Sequence, residues 1–111
     1  MDISFGTRRL QKIFTKPGGL RRAYGTRNER AIKARLIVLD KAPNLSRVPT
    51  ITPERRHQLK GDRKEQFAVD LVHPYRLIFE ADHEPVPRKD DGGIDVEQVT
   101  AITILEVSDY H

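Results

Sequence analysis

The stretch from Thr26 to Pro43 leaves this chain the least choice of conformation. Ile32, Leu36 and Leu39 recur at intervals of four and three, with Ala31, Ala34 and Val38 alongside, which draws one apolar stripe along a helix. Thr26 and Glu29 stand three apart ahead of it, the spacing of a capping box in which each side chain satisfies a backbone N–H of the first turn. Pro43 lacks a backbone donor and disfavours helical geometry at Ala42, so the helix stops near Asp40. A helix with one apolar stripe has to bury it against another layer, and the rest of the chain says which kind.

Downstream the period changes to two. Phe67, Val69 and Leu71 share one side of a strand, and Tyr75, Leu77 and Phe79 share one side of another, with His73-Pro74 between them as a hairpin turn. Ile102, Thr103, Ile104, Leu105 and Val107 make a last strand rich in branched residues. At the start, Ile3 and Phe5 alternate with polar neighbours as a short strand. Thr7 then caps a helix with Leu10, Ile13 and Phe14 on one face, and Lys16-Pro17-Gly18-Gly19 ends it. A short helical hairpin follows before Thr26.

Residues 43–56, with Pro43, Pro49 and Pro53, show no period and read as a loop, with one turn at Thr52-Pro53-Glu54-Arg55. Residues 82–100 hold six acids against two bases, together with Pro85, Pro87 and Asp90-Asp91-Gly92-Gly93. They read as a long acidic excursion with a mobile tip. The expected architecture is α+β: an N-terminal strand and two helices packed on one face of a mostly antiparallel sheet of about four strands, all in a single domain over residues 1–111.

Composition narrows the function classes. A chain of 111 residues supports one core, and the absence of cysteine removes disulfide scaffolds, thiolate nucleophiles and Cys-rich zinc sites together. The longest aliphatic run, Leu36-Ile37-Val38-Leu39, is far short of the roughly 20 residues that span a bilayer, and Met1-Asp2 opens no signal-peptide apolar region. A cytoplasmic protein with no membrane partner is expected. Charge is strongly polarised: residues 1–63 hold 16 Lys and Arg against 5 Asp and Glu, whereas residues 64–111 hold 4 against 11. Such polarity points to a surface that faces phosphates. The plainer alternative is that pairs such as Arg21-Arg22 and Arg55-Arg56 only solvate their elements.

Three clusters carry side chains capable of chemistry: His57-Gln58-Leu59-Lys60-Gly61-Asp62-Arg63, Tyr75-Arg76-Leu77-Ile78-Phe79, and Asp109-Tyr110-His111. They fall on or beside successive strands, and an antiparallel sheet can bring such distant residues to one strand end. Arg76, between Tyr75 and Leu77, points away from the face they occupy. Cleavage of RNA needs a base for the ribose 2′-hydroxyl, an acid for the leaving 5′-oxygen, and cations for the phosphorane between them. His57 and His111 can serve as acid or base, Lys60 and Arg76 as cations, and a Tyr as a ring on which a base stacks. The four histidines lie 16, 10 and 28 positions apart, without helical ligand spacing, so neither metal nor another cofactor is expected. The glycine pairs match no phosphate-binding loop or dinucleotide fingerprint, and no serine sits in a nucleophile elbow.

Taken together, His57-x-Leu59-Lys60-Gly61-Asp62-Arg63, the pair Tyr75-Arg76 with Phe79 in its strand, and the terminal Asp109-Tyr110-His111 resemble the HigB branch of the RelE/ParE superfamily of toxins. The likeness covers residues 57–81 and 102–111, and elsewhere rests on element order and basic character. It implies a RelE-like fold and a type II toxin that cleaves mRNA in the ribosomal decoding site as a metal-independent endoribonuclease. His57 and His111 would then transfer protons. Lys60 and Arg76 would meet the phosphate, Asp109 would support them, and Tyr110 would stack or orient a base. Lys33, Arg55, Arg56 and Arg63 are the expected RNA-binding residues. The implied partners are the ribosome, mRNA and a HigA-like helix-turn-helix antitoxin. Two departures stand out: Tyr75 occupies the position where such toxins usually carry Trp, and the excursion at 82–100 is longer than a tight connection. The competing readings are a ParE-type toxin directed at DNA gyrase, which needs no acid–base pair, and a degenerate homologue that binds RNA or antitoxin without cutting.

Overall fold

In the computed structural model, which describes residues 1–109, the chain runs β1 (Asp2–Phe5), α1 (Arg8–Thr15), α2 (Gly19–Lys41), β2 (His57–Gln58), β3 (Gln66–Asp70), β4 (Arg76–Ala81) and β5 (Ala101–Ser108). The strands form one five-stranded sheet in the order β1-β5-β4-β3-β2. β1 runs parallel to β5, and every other pair is antiparallel. The α+β expectation holds, with one strand more than the pattern predicted. The extra strand is β2, whose two residues are too few to display a period. No helix among the described residues is long and apolar enough to cross a membrane.

Thr7 caps α1 as expected, its Oγ1 accepting from the Leu10 N–H at 3.1 Å. α2 is kinked at Gly25, where φ 86° and ψ 165° are open to glycine and costly for any L side chain. In place of the helical hairpin expected before Thr26, those residues form the first part of α2, ahead of that kink. Glu29 is turned to Arg21 Nε at 3.3 Å and Lys33 Nζ at 3.8 Å, so an ion-pair cluster replaces the capping box expected with Thr26. Beyond the kink Ile32 and Leu39 are fully buried against Phe67, Val69, Leu77, Phe79, Ile102 and Ile104 of the sheet. Phe67 and Phe79, register partners on β3 and β4, stack with centroids 5.9 Å apart.

Two side chains tie α2 to the β3–β4 hairpin. Asn28 Oδ1 accepts from the Val72 N–H at 3.1 Å, and Arg35 Nε donates to the Asp70 carbonyl at 2.7 Å. His73-Pro74 occupies the turn, as expected. Tyr75 belongs to that turn and not to the strand: its N–H donates to the Val72 carbonyl at 2.8 Å and its carbonyl accepts from Leu71 at 3.0 Å. β4 accordingly begins at Arg76.

Segments without a period also feed the core. The 43–56 loop contributes Leu45 and Val48, and the 82–100 excursion contributes Ile94 and Val99. A backbone bond from Leu45 N–H to the Val99 carbonyl, 2.9 Å long, joins the two. The tip of the excursion, expected to be mobile, is a hydrogen-bonded turn. Lys89 N–H donates to Gly93 at 2.8 Å and Gly92 N–H to Lys89 at 2.9 Å, while Arg88 pairs with Glu65 beside β3.

Candidate active site

The helices cover one face of the sheet, and the chemistry gathers on the other. Ladder pairing puts His57, Ala68, Ile78 and Glu106 in one row across β2, β3, β4 and β5, and residues in one such row share a face. Arg76 lies two residues along β4 from Ile78, so it shares that face, as its position between Tyr75 and Leu77 predicted. The floor is a small apolar cluster of Leu59, Ala68 and Ile78, with Leu105 packed against it. Leu59 opens the segment after β2, which bends at Gly61 (φ 68°) into a single turn, Gly61–Arg63.

A groove of about 220 Å³ opens there, lined by His57, Gln58, Leu59, Lys60, Arg63 and Arg76. Residues from two of the three sequence clusters thus converge. His57 Nδ1 lies 2.7 Å from the Arg55 carbonyl oxygen. A ring nitrogen facing a carbonyl must carry the proton, so the neutral imidazole keeps an acceptor lone pair on Nε2. Gln58 donates its side-chain amide to the Lys64 carbonyl. Arg63 Nε donates to Gln66 Oε1 at 2.7 Å, and a terminal nitrogen stands 3.4 Å from Glu106 Oε2. Lys60 and Arg76 have no carboxylate partner among the described residues. Asp70, opposite Arg76 in the ladder, is engaged by Arg55 at 2.6 Å instead.

The other expected residues lie elsewhere. Lys33 is on α2, beyond the opposite face, paired with Glu29. Arg55 is bound to Asp70, whose hydrogen bond and charge push the guanidinium pKa up. Arg56 donates to the Val48 carbonyl at 3.0 Å, and its burial pushes the pKa down. Asp109 is exposed and follows Ser108, the ladder partner of Arg76. Tyr110 and His111 lie outside the described residues.

Gln66 and Glu106 escaped the sequence reading. The one signal for Glu106 was a carboxylate interrupting the apolar run from Ile104 to Val107; Gln66 offered none. Gln58 also borders a second depression, of about 520 Å³, shared with Lys64, Glu65, Arg88 and Gly92-Gly93, so the excursion forms the neighbouring rim. Among the described residues no group of three or more His, Asp or Glu is placed to hold a metal ion. No known protein family and no curated protein matches this chain.

Proposed function

We propose that this protein is a RelE-like, HigB-type toxin: a cytoplasmic, metal-independent endoribonuclease that cleaves mRNA on the ribosome and is held in check by a helix-turn-helix antitoxin. The observation that carries this reading is a groove in which His57 stands with two cations, Lys60 and Arg76, that form no ion pair with a carboxylate of the described residues. Cations without an ion-pair partner at one place on a sheet favour a bound anion, and a phosphodiester is an anion that a histidine can cleave.

In this reading His57 Nε2 takes the proton of a ribose 2′-hydroxyl. The 2′-oxygen attacks the adjacent phosphorus, and Lys60 and Arg76 stabilise the charge of the phosphorane. The bond to the 5′-oxygen then breaks, leaving a 2′,3′-cyclic phosphate on one fragment. The 5′-oxygen takes a proton from the Asp109-Tyr110-His111 group, with His111 as the donor, and leaves as a hydroxyl. Asp109 supports that step and Tyr110 stacks on a base.

Induced expression with mapping of mRNA 5′ ends tests the proposal. Codon-phased cuts within translated frames are expected, together with growth arrest that a co-expressed antitoxin relieves. Arrest through gyrase without mRNA cuts would instead establish the ParE-type reading. Unimpaired growth with soluble protein and no antitoxin would establish a degenerate homologue.

A further inference from the structure

The open face of the sheet carries a carboxylate to which the proposed reaction gives no task. Glu106 on β5 stands in register with Ile78 of β4 and holds Arg63 at 3.4 Å. Arg63 ends the turn that begins just after Lys60. That turn leaves β2 at one edge of the sheet, whereas β5 is the fourth strand from the same edge. Residues 59–65 are the connection between β2 and β3, begun by the bond from Leu59 N–H to the Gln66 carbonyl at 2.9 Å, and from it the Arg63 side chain reaches across β4 to β5. Two weak backbone bonds shape the turn itself, Arg63 N–H to the Lys60 carbonyl at 3.3 Å and Lys64 N–H to the Gly61 carbonyl at 3.2 Å. Neither ties the turn to a strand beyond its own hairpin. The Arg63 guanidinium does, holding Gln66 of β3 on one side and Glu106 of β5 on the other.

We infer that Glu106 is a positioning residue: by holding Arg63 it straps the Lys60–Arg63 turn to β5 and sets where Lys60 meets the scissile phosphate, a role that rests on the proposed ribonuclease reaction. The Arg63 guanidinium is thereby committed to the protein and is not an RNA contact. Both partners are partly exposed, at 27% and 47% of their side-chain surface, and ion pairs of this kind add little to global stability. Breaking the pair consequently shifts the strap while the domain stays folded.

The test uses the full chain, steady-state cleavage of ribosome-bound mRNA, and amide hydrogen exchange at Arg63 and Lys64. Glu106→Gln and Arg63→Glu should each lower kcat by about 100-fold, the effect of a misplacement of about 1 Å. KM should change little, and both amides should exchange faster while the melting temperature holds. The double variant Arg63→Glu with Glu106→Arg rebuilds the pair with its charges exchanged and should recover both kcat and protection. Recovery of protection without kcat would show Arg63 acting on RNA directly and overturn the inference. So would Glu106→Gln with wild-type exchange and rate. A wild-type chain that cuts no RNA overturns the parent reading instead, and the exchange comparison then decides the strap by itself.

Discussion

Two ring nitrogens decide what His57 can do. With Nδ1 committed to the Arg55 carbonyl, the ring has a set orientation and a set tautomer, and both come from a backbone group two residues away. Replacing His57 with Ala removes the base of the proposed reaction while leaving an edge strand of two residues, so cleavage should fall about 10²- to 10⁴-fold. Arg76→Ala should cost about 10²- to 10³-fold, as loss of a preorganised charge at the transition state does. Arg76 is bound to no carboxylate of the described residues, and Asp70 keeps its bond to Arg55 in its absence. The stability change for either variant should therefore stay within about 0.5 kcal/mol. Paired melting and cleavage assays check this, and a folded His57→Ala chain cutting at the wild-type rate would remove His57 from the mechanism.

At the scale of elements, the bend in α2 and the latch of the excursion carry the consequences. Gly25 adopts a conformation that only glycine enters freely, and its Cβ position is open space, so strain alone sets the effect of substitution. Gly25→Ala should destabilise the domain by about 1–3 kcal/mol in urea titration. The latch is sensitive to pH. The hydrogen bond from Arg88 holds the Glu65 carboxyl below its ordinary 4.5. A carboxyl depressed in the folded state stabilises that state fully above its unfolded value, and the contribution is lost as pH falls through the folded value. Acidification through the carboxylate range should thus free Arg88 and speed amide exchange at Lys89 and Gly92. Because the pair is partly exposed, high salt at neutral pH should produce part of the same loosening. Exchange at these amides that ignored both pH and salt would refute the latch.

For the whole molecule, charge is spent in two ways. Arg21, Lys33 and Arg55 are drawn into ion pairs with Glu29 and Asp70, whereas Arg8, Arg9, Lys12 and Lys16, on or beside α1, take part in no ion pair among the described residues. The excess of base over acid in residues 1–63 thus becomes a cationic helical side, while the groove opens on the opposite face of the sheet. A ribosome-bound state should use that side for RNA phosphates. Binding should then weaken steeply between about 50 and 200 mM salt, because each neutralised phosphate releases counterions. Co-sedimentation indifferent to salt over that range would dismiss this surface as a ribosome contact.

What could be read in the linear chain was whatever neighbouring residues determine among themselves. Thr7 reaches the Leu10 N–H within one turn, Ile32 and Leu39 share a face because a helix turns every 3.6 residues, and His73-Pro74 bends the backbone between two alternating runs. Convergence of the His57 and Arg76 clusters on one sheet was legible too, since consecutive antiparallel strands bring such segments together. The tertiary structure decided the rest. β2 exists because the edge of β3 accepts it, not because His57-Gln58 has a strand pattern. Asn28 serves Val72 from 44 residues away, Leu45 and Val99 leave their loops for the core, and Glu106 on β5 finds Arg63 in the β2–β3 connection. None of these partners is encoded in a local period. Each depends on ladder register and on which face of a shared layer is covered, and those are settled only when distant segments bury their apolar sides against one another.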